Sequence, residues 1–167
     1  KNAIIADMGG TTTDIAIIRD GKLDINNQDT VIGNWHTMVE TIRLLSVGLG
    51  ADSEVRYQGA VGLAIGPRRV LPMSLLGHLY PQVNELLEEQ LSVAPTARTN
   101  RFVLRHHATK EQIQHLTAVE HDLWAQLEQQ PIDLESIKRN SRQQAKAIAI
   151  MIRKGIVIYS GFTPSDA

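Results

Sequence analysis

Residues 7–14, reading Asp-Met-Gly-Gly-Thr-Thr-Thr-Asp, restrict the fold more than any other stretch of this 167-residue chain. They lie between two apolar runs, residues 3–6 and 15–18, so the chain leaves a strand, turns and re-enters a strand. Gly9 and Gly10 permit a sharp turn with positive φ and close approach of a ligand to the backbone amides. Thr11, Thr12 and Thr13 add hydroxyl donors, while Asp7 and Asp14 offer oxygen ligands suited to a hydrated magnesium ion. The convergence points to a phosphate-binding loop rather than a polar hairpin. A few charge-assisted hydrogen bonds of about 1.5–3 kcal/mol each, against an association cost of at least ~4 kcal/mol, leave millimolar affinity or worse for one such loop. A complete site therefore needs a second element.

Two familiar phosphate motifs are excluded. No Gly-Lys-Ser/Thr follows the glycines and no Gly-x-Gly-x-x-Gly is present, and both motifs lead into a helix, whereas residues 14–19 here are extended. Asp20-Gly21 predicts a tight hairpin, with a third extended segment from Lys22. Apolar segments at 30–32, 41–47, 54–57 and 63–65, separated by glycine-bearing turns, continue the pattern of strands and loops. Leu79, Val83, Leu86, Leu87 and Leu91 then recur at helical spacing, with Pro81 able to start that helix. Residues 92–100 are the expected domain boundary, because charge changes there: residues 1–95 carry seven basic and eleven acidic side chains, residues 96–155 ten and six.

Beyond the boundary the chain reads as helical. Thr109 and Gln112 form a capping box, and Ile113, Leu116, Val119, Leu123 and Leu127 share one face of the helix that follows. Pro131 ends it. Asp133 is placed to cap a short helix containing Leu134 and Ile137, and a third helix turns Ala145, Ile148 and Ile152 inward before Lys154-Gly155. With strands at 102–105 and 155–161, the order strand, three helices, strand is that of a small winged-helix-like unit.

In its strand-turn-strand setting the 7–14 loop resembles the phosphate loops of the actin, sugar-kinase and chaperone ATPase superfamily. Within that superfamily, Asp-Met-Gly-Gly-Thr-Thr-Thr-Asp-Ile-Ala-Ile is most similar to the ATP-dependent hydantoinase, oxoprolinase and acetone-carboxylase group. Gly48, Gly50 and Ser53 resemble that group's glycine-rich segment, with Ala51 and Asp52 in place of glycines. Gly66-Pro67-Arg68 and the segment Gly-Phe-Thr-Pro-Ser-Asp-Ala at 161–167 extend the similarity. The resemblance implies an α/β fold: a ribonuclease-H-like (actin-like ATPase) mixed sheet fragment over 1–95, a small, mainly helical, winged-helix-like insertion over 96–160, and a return to the ATPase core from 161. It implies ATP and Mg as cofactors, with Asp7, Gly9, Gly10, Thr11, Thr12, Thr13, Asp14, Gly48, Gly50 and Ser53 around the nucleotide and Asp7 and Asp14 holding Mg through water. Members of the group carry two such loops, and Met8 marks this one as the mid-chain copy.

The implied parent enzyme hydrolyses cyclic amides, using phosphoryl transfer to activate an amide or carbonyl oxygen, and this segment alone is expected to be inactive. Its expected partners are the remainder of its own parent chain and a small-molecule substrate, with a second hydantoinase-type subunit also a candidate. One rival is a different ATPase or sugar kinase of the superfamily, for which no sugar-binding segment is recognisable. Another is a non-enzymatic winged-helix module that binds nucleic acid, which leaves residues 7–14 unexplained. No residue identifies itself as the catalytic base.

Composition narrows the class further. The chain has no cysteine, hence no disulfide framework, thiolate or Cys-based zinc site, and its net charge of −1 does not favour general nucleic-acid binding. No apolar run approaches the ~20 residues that span a bilayer, so the expectation is a soluble, cytoplasmic protein without a membrane partner. A start at Lys1, almost directly in a strand, suggests a piece of a longer protein. His106, His107, His115 and His121 lack ligand spacing and read as solvated; His36 and His78 receive no role. Lys138, Arg139, Arg142, Lys146, Arg153 and Lys154 read as a solvated face in preference to a nucleic-acid surface. Arg68 and Arg69 suit either a nucleotide or substrate contact or a strand-end ion pair, and Glu40, Asp52 and Glu54 stay open.

Overall fold

The computed structural model describes residues 1–26, 30–32, 35–37, 41–137 and 141–167. Glu40, Lys138 and Arg139 lie outside the described residues, as does the side chain of His36. The chain divides into two compact units, Lys1–Ala51 and Asp52–Ala167. The boundary expected near residue 95 therefore lies inside the second unit.

The first unit is built on a hairpin of β1 (Ala3–Met8) and β2 (Thr13–Arg19), paired antiparallel from Ala3 with Ile18 to Met8 with Thr13. Asp20 and Gly21 both have positive φ, 52° and 80°, as the two-residue turn that Asp-Gly predicts requires, and they lead into β3 (Lys22–Leu23). Short strands follow as antiparallel pairs: β4 (Ile25–Asn26) with β7 (Thr41–Ile42), and β5 (Thr30–Ile32) with β6 (Trp35–Thr37). The chain then returns as β8 (Leu44–Val47), which pairs with residues 13–16 on the edge of β2 away from β1. Strand β2 is thus central. Among the described residues of this unit, Ala16 is the one buried apolar side chain, while Ile4, Ile5, Leu44 and Leu45 are exposed.

The second unit opens with β9 (Ser53–Tyr57) and β10 (Leu63–Arg69), an antiparallel pair whose register shifts between Ile65 and Arg69, around the cis Gly66–Pro67 bond. After β11 (Leu71–Pro72) come α1 (Met73–Leu79), α2 (Val83–Leu91), β12 (Arg101–Arg105), α3 (Lys110–Gln114), α4 (Ala118–Gln129), β13 (Ile132–Asp133), α5 (Arg142–Arg153) and β14 (Val157–Gly161). The sheet order is β11-β14-β12-β13, with β11 parallel to β14 and the other pairs antiparallel. Alternation along β12 makes two cores. Phe102 and Leu104 pack with Met73, Leu76 and Val83 of α1 and α2, whereas Val103 packs with Leu123, Leu127, Ile148 and Met151 of α4 and α5. Among the described residues no helix is long and apolar enough to cross a membrane.

Several expected helix limits change for local reasons. The helix read through Leu79 to Leu91 is two helices, because Tyr80 precedes Pro81 and adopts a non-helical backbone (φ −134°, ψ 77°). The Thr109–Gln112 capping box is present, yet a second box, Thr117 with Glu120, starts a new helix and divides the expected one. Asp133 does not cap a helix: its carboxylate accepts from the Glu135 amide at 2.9 Å in a turn that still buries Leu134 and Ile137. On α5, Ala147, Ile148 and Met151 are buried while Ala145 is exposed, so the inward face is rotated from the expected one. Gly155 ends that helix with φ 71°, as its position predicts.

Candidate functional site

Antiparallel register places Asp7 opposite Asp14, and Asp14 opposite Ser46 on the next strand. Directly opposed residues share a sheet face, so two carboxylates and a hydroxyl form one row across β1, β2 and β8. The Ser46 hydroxyl donates to Asp14 Oδ1. Asp7, by contrast, has no partner among the described residues. The row presents only oxygen atoms, the donor chemistry that Mg prefers, and like charges directly opposed on a sheet favour a cation between them.

The turn joining the strands is held from both ends. The Gly9 amide donates to the Thr12 carbonyl at 2.8 Å, and the Ala51 amide donates to the Gly9 carbonyl at 2.8 Å. Neither Gly9 nor Gly10 has a positive φ, contrary to expectation. Close packing explains a small residue here better than turn geometry does. A Cβ on Gly50 would overlap the Thr11 amide nitrogen and come within 2.6 Å of the Gly10 carbonyl oxygen. Gly50 is therefore a platform for the loop backbone.

Thr13 changes role for a related reason. It lies on the face opposite Asp14, is 7 % exposed, and donates its hydroxyl to the Leu49 carbonyl at 2.6 Å. It ties the loop to the 48–50 segment and does not offer its donor to a phosphate. Thr11 and Thr12 are exposed, and their hydroxyls have no partner among the described residues. Gly48 is exposed at a bend, and Ser53 is buried in β9 of the second unit. Of the expected site residues, the first unit brings together Asp7, Gly9, Gly10, Thr11, Thr12 and Asp14, with Gly50 beneath them. Ser46 was not foreseen; the signal was a lone hydroxyl within Leu-Leu-Ser-Val.

Other candidates resolve into contacts in the second unit. Arg69 pairs with Asp52 at 2.8 Å, the strand-end ion pair, whereas Glu54 is wholly buried with Arg101 Nε at 2.7 Å from its carboxylate. His106 Nδ1 lies 3.2 Å from the Gly155 carbonyl, and His107, His115 and His121 are exposed. Among the described residues no group of three or more His, Cys, Asp or Glu side chains is arranged to hold a metal. Arg142, Lys146 and Arg153 are exposed, and Lys154 pairs with Glu120 at 3.2 Å.

Residues 1–72 match the family model described as hydantoinase/oxoprolinase. A solved acetone carboxylase, in its nucleotide-free form and described with a mechanism of ATP-dependent acetone carboxylation, is 30% identical over 41% of this chain, with a TM-score of 0.33. The chain spans 10% of the length of that protein. No curated protein matches it. The matched 72 residues, which carry the Asp7, Asp14 and Gly50 arrangement, are thus similar to the hydantoinase/oxoprolinase family.

Proposed function

We propose that the first unit contributes the phosphate-loop half of the ATP site in an ATP-dependent cyclic-amide hydrolase of the hydantoinase/oxoprolinase type. The observation that carries this reading is the Asp7, Asp14 and Ser46 row beside an exposed turn whose backbone is braced by Gly50 and Thr13. In this reading, exposed amides of the turn and the Thr11 and Thr12 hydroxyls orient phosphate oxygens. Asp7 and Asp14 would hold Mg through water, and the ion supplies charge neutralisation beside the phosphates when bound. Bracing matters because donors fixed before the ligand arrives need no reorganisation as charge develops.

The central β2 with strands on both edges is in keeping with part of a ribonuclease-H-like, actin-type ATPase sheet, and Met8 with the mid-chain loop of such a protein. The opposite side of the nucleotide would come from the rest of the parent chain, and the amide substrate from a region outside the first unit. The winged-helix reading of residues 96–160 stays subordinate. Their strands β12 and β14 share a sheet with Leu71–Pro72, and no specific observation favours a nucleic-acid surface.

The test is cyclic-amide-stimulated ATP turnover by the full-length parent. Asp7→Ala is expected to lower the rate by on the order of a hundredfold, as loss of a fixed electrostatic group at a reacting centre does. A rate equal to that of the unaltered protein would remove the loop from the mechanism.

A further inference from the structure

We propose that Arg56, Arg68 and Arg101, gathered around Glu54 in the second unit, form a binding site for a small oxyanion carrying two negative charges. Glu54 is fully buried on β9, a position that an isolated carboxylate does not tolerate without cationic partners. It has three. Arg101 Nε lies 2.7 Å from Oε1, while Arg56 Nε and Arg68 Nη1 lie 3.5 and 3.7 Å from Oε2. One carboxylate against three guanidiniums leaves a surplus of two positive charges. Asp52, the nearest acidic residue along the chain, is already paired with Arg69 at 2.8 Å.

The contacts of Glu54 do not saturate these donors. Its Oε2 and the facing Arg56 Nε are both buried and lack a hydrogen-bond partner, so that side of the cluster is held by charge alone. Arg56 uses another nitrogen on the Gly66 carbonyl at 3.2 Å, and Arg101 Nη1 donates to the Ala97 carbonyl at 3.3 Å. Arg68 differs from both. Among the described residues its guanidinium meets only the long contact with Glu54 and the ring of Tyr159, 4.7 Å from the ring centre. Arg101 is placed over the same ring at 5.0 Å. Stacking holds a guanidinium plane while leaving its edge donors free, which is the arrangement that grips a carboxylate or phosphate in two-point fashion. Arg68 is also 45 % exposed, so a solute can reach it.

A purely structural cluster explains Glu54 with Arg101, since those two join β9 to the start of β12. It does not explain a third guanidinium with unused donors beside two others. The two positive charges that Glu54 leaves uncompensated favour a further anion beside it. Carboxylate and phosphoryl groups have the shared chemistry of paired oxygens, and the test separates them.

Inorganic phosphate and, separately, malonate are titrated into the 167-residue chain by calorimetry, with chloride balancing the ionic strength. Saturable one-to-one binding of at least one is expected. Arg68→Ala should weaken it about tenfold to a hundredfold, the effect of losing charge-assisted hydrogen bonds. Arg68→Gln, which keeps the length of the side chain and a planar end against Tyr159, should give a similar loss and preserves the readout if the alanine variant unfolds. Arg142→Ala, which removes an exposed cation of the same unit, should bind as the parent chain does, separating this site from general attraction to positive charge. Preference for phosphate identifies a phosphoryl ligand, and preference for malonate a carboxylate. Absence of saturable binding to either, unchanged affinity in the Arg68 variants, or an equal loss in Arg142→Ala would overturn the proposal.

Discussion

Thr13 carries more of the loop's geometry than of its chemistry. Its buried hydroxyl is the tie between β2 and the Leu49 carbonyl, so Thr13→Val, which keeps the shape, leaves that carbonyl without its donor. A loss of about 1–3 kcal/mol in stability is expected, the range for a buried acceptor deprived of its partner; chemical denaturation of the chain measures it. Equal stability in the two proteins would show that the tie is replaceable by water. The sequence made Asp7, Asp14, Thr11 and Thr12 legible as candidates that the first unit then places near one another, because carboxylates, hydroxyls and glycines within eight positions have few other uses. It gave no sign of the packing of Thr13 and Gly50, because those contacts join segments more than thirty residues apart. Nothing local in Thr-Thr-Thr says which hydroxyl faces inward; only the pairing of β2 with β8 decides that.

At the scale of elements, local chemistry was readable wherever the signal was contained in adjacent residues. Asp20-Gly21 formed its turn, Thr109 with Gln112 its box, and Gly155 its helix end. Helix α1 was not foreseen, because its cap comes from far along the chain. Asp166 accepts from the Met73 amide at 3.0 Å and the Ser74 amide at 2.8 Å, and its Thr163 contacts fix the carboxylate in place. Burial alone would raise this carboxyl, but hydrogen bonds from Ser74, Met73 and Thr163 outweigh it and hold it below the ordinary aspartate value of 3.8. The sign follows directly. A group with a depressed folded pKa stabilises the fold above the unfolded value, and that contribution disappears as pH falls through the folded pKa. Asp166→Ala is expected to cost about 0.5–2 kcal/mol at neutral pH. Asp166→Asn should flatten the acid limb of a stability-versus-pH curve below about pH 4. An unchanged acid limb would mean that Asp166 contributes no pH-dependent stability. Glu120 adds to the same limb, since the Thr117 and Lys154 contacts overcome its burial and lower it, whereas burial raises Asp133 and gives the opposite slope.

For the whole molecule, the two units differ in how they are filled. The second contains two cores on opposite sides of its sheet, while the sheet of the first leaves Ile4 and its neighbour Ile5, which point to opposite faces, both exposed. The half-site proposed above, on such a sheet, should bind nucleotide weakly. Calorimetry of the 167-residue chain with MgATP is expected to give millimolar affinity or worse, whereas micromolar binding would show that the phosphate site is complete without another lobe. The division at residue 51 was not legible from composition, because the charge change near 95 marks no break in packing. Strand β11 and the helices after it need β14 beside them.

That pairing has a temporal consequence. Leu71 meets Ser160, and Met73 meets Asp166, across separations of 89 and 93 residues. As the chain leaves the ribosome from its N-terminus, β11 and α1 emerge long before the residues that dock and cap them. Closing so long a loop comes late and slowly. Leu71 and the N-terminal amides of α1 therefore wait for their partners until residues 160–166 are made, which makes this stretch the natural place for a chaperone to hold the nascent chain.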